Sequence, residues 1–147
     1  MVDHPVHPRA RRPCPAAFAF AFAFALAAGG ACDVADDRPA AWPYLHAAVI
    51  APSCATAGCH SQHAALAGID LSTRTGAYTF LTGRICGEPT RPQDPPGNFV
   101  FAGSPERSKL MYLLRGEDVR VMPPDQPLPG VEVELIERWI LEGASCE

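Results

Sequence analysis

The chain predicts an all-α fold, on three observations. Its closing segment carries apolar residues at helical spacing, Leu135 with Trp139 and Ile136 with Ile140, each pair at i and i+4. Beyond residue 31 no alternating stretch is long enough to build a sheet. Proline and glycine, 16 and 12 of 147 residues, cut the rest into short segments joined by long loops.

Composition narrows the function classes. With 48% hydrophobic and 19% charged residues, the chain suits one or two globular domains and excludes a disordered tail or a large multidomain enzyme. Twelve basic residues face sixteen acidic ones, for a net charge of −4, and Lys109 is the single lysine. No block of like charge is present, so nucleic acid is not an expected partner.

The N-terminus reads as an address. Arg9, Arg11 and Arg12 precede seventeen uncharged residues, PAAFAFAFAFALAAGGA, at 15–31. A basic start, an apolar middle and a small-residue end predict an export signal over 1–31, too short for a permanent span of about 20 residues. Cys32 follows Gly29-Gly30-Ala31 directly, and this run resembles the lipobox of bacterial lipoproteins, which implies lipidation of Cys32 and a membrane anchor. Ordinary cleavage after Ala31 meets the same small-residue rule and leaves a free exported protein. Residues 32–41 are polar and contain proline, as suits a tether, and the folded domain is expected over 42–147. Without residues 1–31 the chain keeps nine basic and fifteen acidic side chains.

Within that domain, Pro43 opens a helix expected over about 43–51, with Tyr44, Leu45, Ala48 and Val49 on its apolar face and Pro52 as its stop. Short helices are expected at 61–67 and 73–82, the second closed by Gly83. Residues 84–103 have turn chemistry throughout and read as a surface loop. Ser104 and Pro105 supply an N-cap and first-turn proline for a helix carrying Leu110, Leu113 and Leu114, ended by Gly116. A second proline-rich loop covers 117–130. The last helix, 131–142, starts among acids and exits at Gly143. Short helices and two long loops predict a thin apolar core, with something other than side chains filling the centre.

Chemistry concentrates at residues 54–60, CATAGCH, two cysteines followed at once by a histidine. The related pattern C-x-x-C-H attaches c-type haem: two thiols add to the vinyl groups and the next imidazole turns toward iron. The spacer here is four small residues, Ala55 to Gly58, which leaves the loop free to bulge. A local disulfide between Cys54 and Cys59 and a partial zinc site are the competing readings, although zinc prefers separated ligands.

From about Tyr44 to Ala144 the chain resembles the single-haem cytochrome c domains of bacterial exported proteins. CATAGCH, the Met122-Pro123-Pro124 run and a closing helix with Ile136, Trp139, Ile140 and Gly143-Ala144 carry the likeness. The resemblance implies a cytochrome c-like fold around one covalent haem c, with Cys54 and Cys59 as thioethers. It also implies His60 as proximal iron ligand, Met122 as distal ligand, and first and last helices crossing beside the haem. The four-residue spacer departs from the common two. Independently, the prolines after Met122 stiffen its loop, as an axial ligand requires, and Met/His ligation raises the haem potential.

Other residues have structural expectations. Met111 belongs to the core, His46 and His63 to the surface or loops, and Trp139 and Tyr44 to helix packing. Glu132, Glu134 and Glu137 form a solvated face, which also offers a docking surface to a basic redox partner. Cys86 and Cys146 remain as a disulfide pair. No base or nucleophile pair accompanies the haem motif, so the expected role is one-electron transfer at the outer face of a membrane, toward a redox partner protein. A disulfide-stapled exported lipoprotein without haem, acting as a structural or interaction module, is the alternative. A redox subunit beside a separate dehydrogenase or oxidase chain is a third reading.

Overall fold

Four helices and two short 3-10 turns make up the described part of the domain in this computed structural model, which covers residues 37–89 and 99–147. The expected signal peptide at 1–31, the lipidation site Cys32 and the start of the tether lie outside the described residues. Among the described residues there is no strand, and no helix is long and apolar enough to cross a membrane.

The first helix, α1, runs continuously over residues 42–54 through three pieces, Trp42–Leu45, a π turn His46–Ile50, and Ala51–Cys54. It therefore passes the expected stop at Pro52. Proline breaks a regular helix by lacking an N–H and by crowding the preceding turn, and a wider π turn before it relieves both. The Ala55 amide accordingly reaches back five residues to the Ile50 carbonyl (3.3 Å). Cys54 thus stands on the end of a helix and not in a loop.

No helix forms at 61–67. Ala65, Ala67 and Gly68 all have positive φ, and only a 3-10 turn at Leu66–Gly68 remains. Helix α2, Arg74–Thr82, opens with the Thr73 hydroxyl accepting from the Gly76 amide (3.2 Å) and ends at Gly83, φ 70°. The expected cap at Ser104 is not used: a 3-10 turn, Pro105–Arg107, intervenes and α3 begins later, Lys109–Arg115. Ser108 instead donates to the Ser104 carbonyl (2.9 Å) and is fully buried. Helix α4 spans Gly130–Leu141.

The core is filled by side chains, contrary to the expected gap at its centre. Trp42, Leu45, Met111, Leu135, Ile136, Trp139 and Ile140 are all at most 1% exposed. Two tryptophans supply the volume that a chain of short helices lacks, and their rings stack between α1 and α4 (centroids 5.0 Å apart). His46 departs from its expected surface position, being buried on α1 against Trp42. Met111 takes its expected place in the core, and Tyr44 packs at the edge.

Both ends of the domain are tied down. Residues 38–41 pack on the domain and do not extend the tether: Arg38 pairs with Glu132 (2.6 Å), Arg138 donates to the Arg38 carbonyl, and Ala40 packs against the core. Glu137 pairs with Arg115 (2.8 Å), so of the three acids on α4 only Glu134 stays fully solvated. At the C-terminus, Tyr78 donates to the Ala144 carbonyl, Arg84 to that of Gly143 and Trp139 to that of Ser145. Cys86 and Cys146 are joined in a disulfide. The middle loop is exposed up to residue 89 but returns inward at its end, where Val100 is buried and donates to the Leu81 carbonyl (2.9 Å).

Candidate functional site

Cys54 is the last residue of α1 and is half-buried. The chain then turns through the four small residues, with the Cys59 amide donating to the Thr56 carbonyl and the His60 amide to the Cys54 carbonyl, both at 3.0 Å. That second bond closes the spacer back onto the helix end, which puts both cysteines and His60 in one neighbourhood.

Both thiols are free. Burial pushes the Cys54 thiol up to about 11, and the nearby Cys59 adds to the shift. At neutral pH Cys54 is therefore held as a neutral thiol against an apolar surround, where Ala55 and the core edge pack beside it.

His60 is oriented by its own backbone neighbourhood. Its Nδ1 donates to the Leu66 carbonyl (3.2 Å), while the Leu66 amide donates to the Cys59 carbonyl (3.0 Å). A neutral imidazole protonated at Nδ1 keeps its lone pair on Nε2, the tautomer that a metal ligand needs. Sequence reasoning missed Leu66; its part depends on a carbonyl brought round by the positive-φ turns at 65–68, and no residue type announces that.

Met122 arrives from the far side of the sequence. Gly116 ends α3 with φ 69°, and a β carbon there would stand 3.2 Å from Cβ of Val121. Glycine thus lets 117–122 fold back closely, and the Met122 amide donates to the Leu113 carbonyl (2.8 Å).

These pieces share one cleft. Ser53, Cys54, Cys59, His60, Leu66, Arg120, Met122, Pro123 and Pro124 line a small, open, mainly apolar cleft of about 150 Å³. Arg120 is the one charged side chain in that lining. A shallower groove bounded by Pro52, Thr56, Asp125 and Leu128 shares Ser53, Cys59, Pro123 and Pro124 with it and widens its mouth. Neither His46 nor His63 belongs to the lining. The Cys86–Cys146 disulfide lies elsewhere, where Cys146 borders a separate surface hollow with Tyr78 and Arg84.

The donor set decides what the cleft can hold. Among the described residues, no three His, Cys, Asp or Glu side chains come together as a metal site. What the cleft offers is two free thiols, an imidazole with a free Nε2, a thioether sulfur, apolar walls and one cation at the rim. That set suits a flat apolar group with electrophilic vinyl arms, a metal that takes nitrogen and sulfur axially, and an acidic edge, which are the features of haem. The residues present fit the group. The chain matches no known protein family, no characterised protein and no solved structure.

Proposed function

We propose that this protein is an exported one-electron carrier, anchored at the outer face of a membrane through Cys32, whose cleft holds a single covalent haem c. The observation that carries the reading is the convergence of Cys54, Cys59, His60 and Met122 on one apolar cleft, with Nδ1 of His60 engaged by the Leu66 carbonyl. A cytochrome c-like arrangement of the helices belongs to the same reading, supported by the Trp42–Trp139 stack between the first and last helices.

Each residue has a definite task. Cys54 and Cys59, both free thiols in the cleft lining, would hold the group covalently, each thiol adding its sulfur and its hydrogen across one vinyl double bond with no oxidant required. His60 Nε2 and the Met122 sulfur, which line the same cleft, would hold the iron. Leu66, Pro123 and Pro124 keep water from the walls, and Arg120 stands ready for a carboxylate. When bound, the group supplies a reversible one-electron couple, which a Met/His pair sets at higher potential than two nitrogens. The partner on this reading is another redox protein, and the absence of any block of basic residues gives no support to nucleic acid.

The test is the absorption spectrum and mass of the full chain exported in a cell with c-type haem assembly machinery. Sharp bands on reduction and a haem retained through denaturation are expected. A colourless chain at its bare mass, while a control cytochrome matures, would refute the reading and favour a disulfide-stapled structural module.

A further inference from the structure

Among the described residues one histidine, His46, is buried; it has no part in the cleft, yet its hydrogen bond leads there. His46 is 8% exposed, and its Nε2 donates to the Leu71 carbonyl (3.1 Å). One turn earlier on the same helix, Trp42 Nε1 donates to the Arg74 carbonyl (3.0 Å). Two side chains of α1 therefore grip residues 71–74, the segment that leads into the first turn of α2.

That stretch in turn holds the loop of His60. The Leu71 amide donates to the His60 carbonyl (2.8 Å), and the Gln62 amide donates to the Ser72 hydroxyl (2.7 Å). The circuit closes on α1, because the His60 amide donates to Cys54 at the helix end (3.0 Å). His60 is thus bonded at its amide to one end of α1 and at its carbonyl to a segment clamped by the middle of the same helix.

A buried imidazole beside the Trp42 ring is costly unless it is bonded. What the imidazole alone supplies is an N–H at the right reach for Leu71. We propose that His46, assisted by Trp42, is a positioning residue that fixes the backbone of His60 and so the aim of its ring into the cleft. The inference rests on the proposed role of His60 as iron ligand, but the clamp itself is measurable without haem.

The experiment compares wild type with His46→Leu, which fills the space without donating, and His46→Gln, which restores a donor. In the haem-free chain, amide hydrogen exchange at Leu71 is expected to rise at least tenfold in His46→Leu, with Ile140 in α4 unchanged, and to return toward wild type in His46→Gln. In the haem-loaded protein, His46→Leu is expected to show a mixed axial-ligand spectrum and a shifted midpoint potential, again rescued by Gln. Trp42→Phe keeps a ring in the stack but loses its donor, and is expected to raise exchange over 71–74 alone; it serves where His46→Leu fails to fold. Unchanged Leu71 exchange in the folded variants, exchange raised uniformly through α4, or no rescue by Gln would each overturn the clamp. A wild-type chain without haem would refute the proposed function and leave the exchange result standing.

Discussion

Trp42 stacks on Trp139 with ring centroids 5.0 Å apart and an interplanar angle of 28°, and each indole N–H reaches a backbone carbonyl of a different segment. Trp42 donates to Arg74 and Trp139 to Ser145, so the pair joins α1, α4, the 71–74 stretch and the C-terminal tail. It occupies the centre of a core that short helices alone do not fill.

Trp139→Ala is expected to destabilise the domain by about 3–5 kcal/mol, the usual cost of emptying a large buried aromatic site. Chemical denaturation followed by circular dichroism measures it. A loss below about 1 kcal/mol would mean that the stack is not central to the fold.

The Cys86–Cys146 disulfide closes a separation of 60 residues and fastens the middle loop to the tail. Replacing both cysteines by serine is expected to cost up to about 4 kcal/mol on the chain-entropy account. The cleft lies elsewhere, so the spectrum of the loaded protein should stay the same at a temperature where the variant is folded. A changed spectrum there would contradict the separation of the two sites.

Cys54 titrates high in the haem-free chain, near 11. At pH 7 its thiolate population is ~100-fold below that of an ordinary thiol, so alkylation should be slow and should accelerate with pH until about 11. The sign for stability follows from the raised value. The folded state holds the proton more tightly than the unfolded one, so this contribution is full below about 9 and is lost as pH rises through about 11. Mass-resolved alkylation across pH checks the first statement and urea titration of the haem-free chain the second.

Met122→Ala is expected to remove the thioether-ligand signature from the spectrum of the loaded protein and to lower the midpoint potential by on the order of 100 mV. Covalent attachment through Cys54 and Cys59 should persist. An unchanged spectrum would take Met122 out of the iron site.

Gly116→Ala is expected to act on Met122 from a distance. A β carbon at φ 69°, 3.2 Å from that of Val121, forces the return of 117–122 outward. Stability should fall by about 1–3 kcal/mol, and the Met122 signature should weaken with it. Retained stability with an intact signature would show that the turn tolerates a side chain.

Some of this protein was legible from residues alone because the determining forces are local. The spacing of Leu135, Ile136, Trp139 and Ile140 marks α4, Gly83 and Gly116 mark helix ends, and CATAGCH places two thiols beside an imidazole whatever the fold around them. Other features required the tertiary structure. Pro52 is a helix stop by local rules, and only the wider π turn before it lets α1 continue to Cys54. His46 reads as a surface histidine until the Leu71 carbonyl, 25 residues away, is brought to it. Met122 reaches the cleft of Cys54 and His60 because α3 ends in a glycine turn that folds its loop back. Periodicity, caps and motifs act over a few bonds and are written in the order of residues. The partners of a buried polar group and the walls of a cleft are set by which distant segments pack together, and that depends on the whole core.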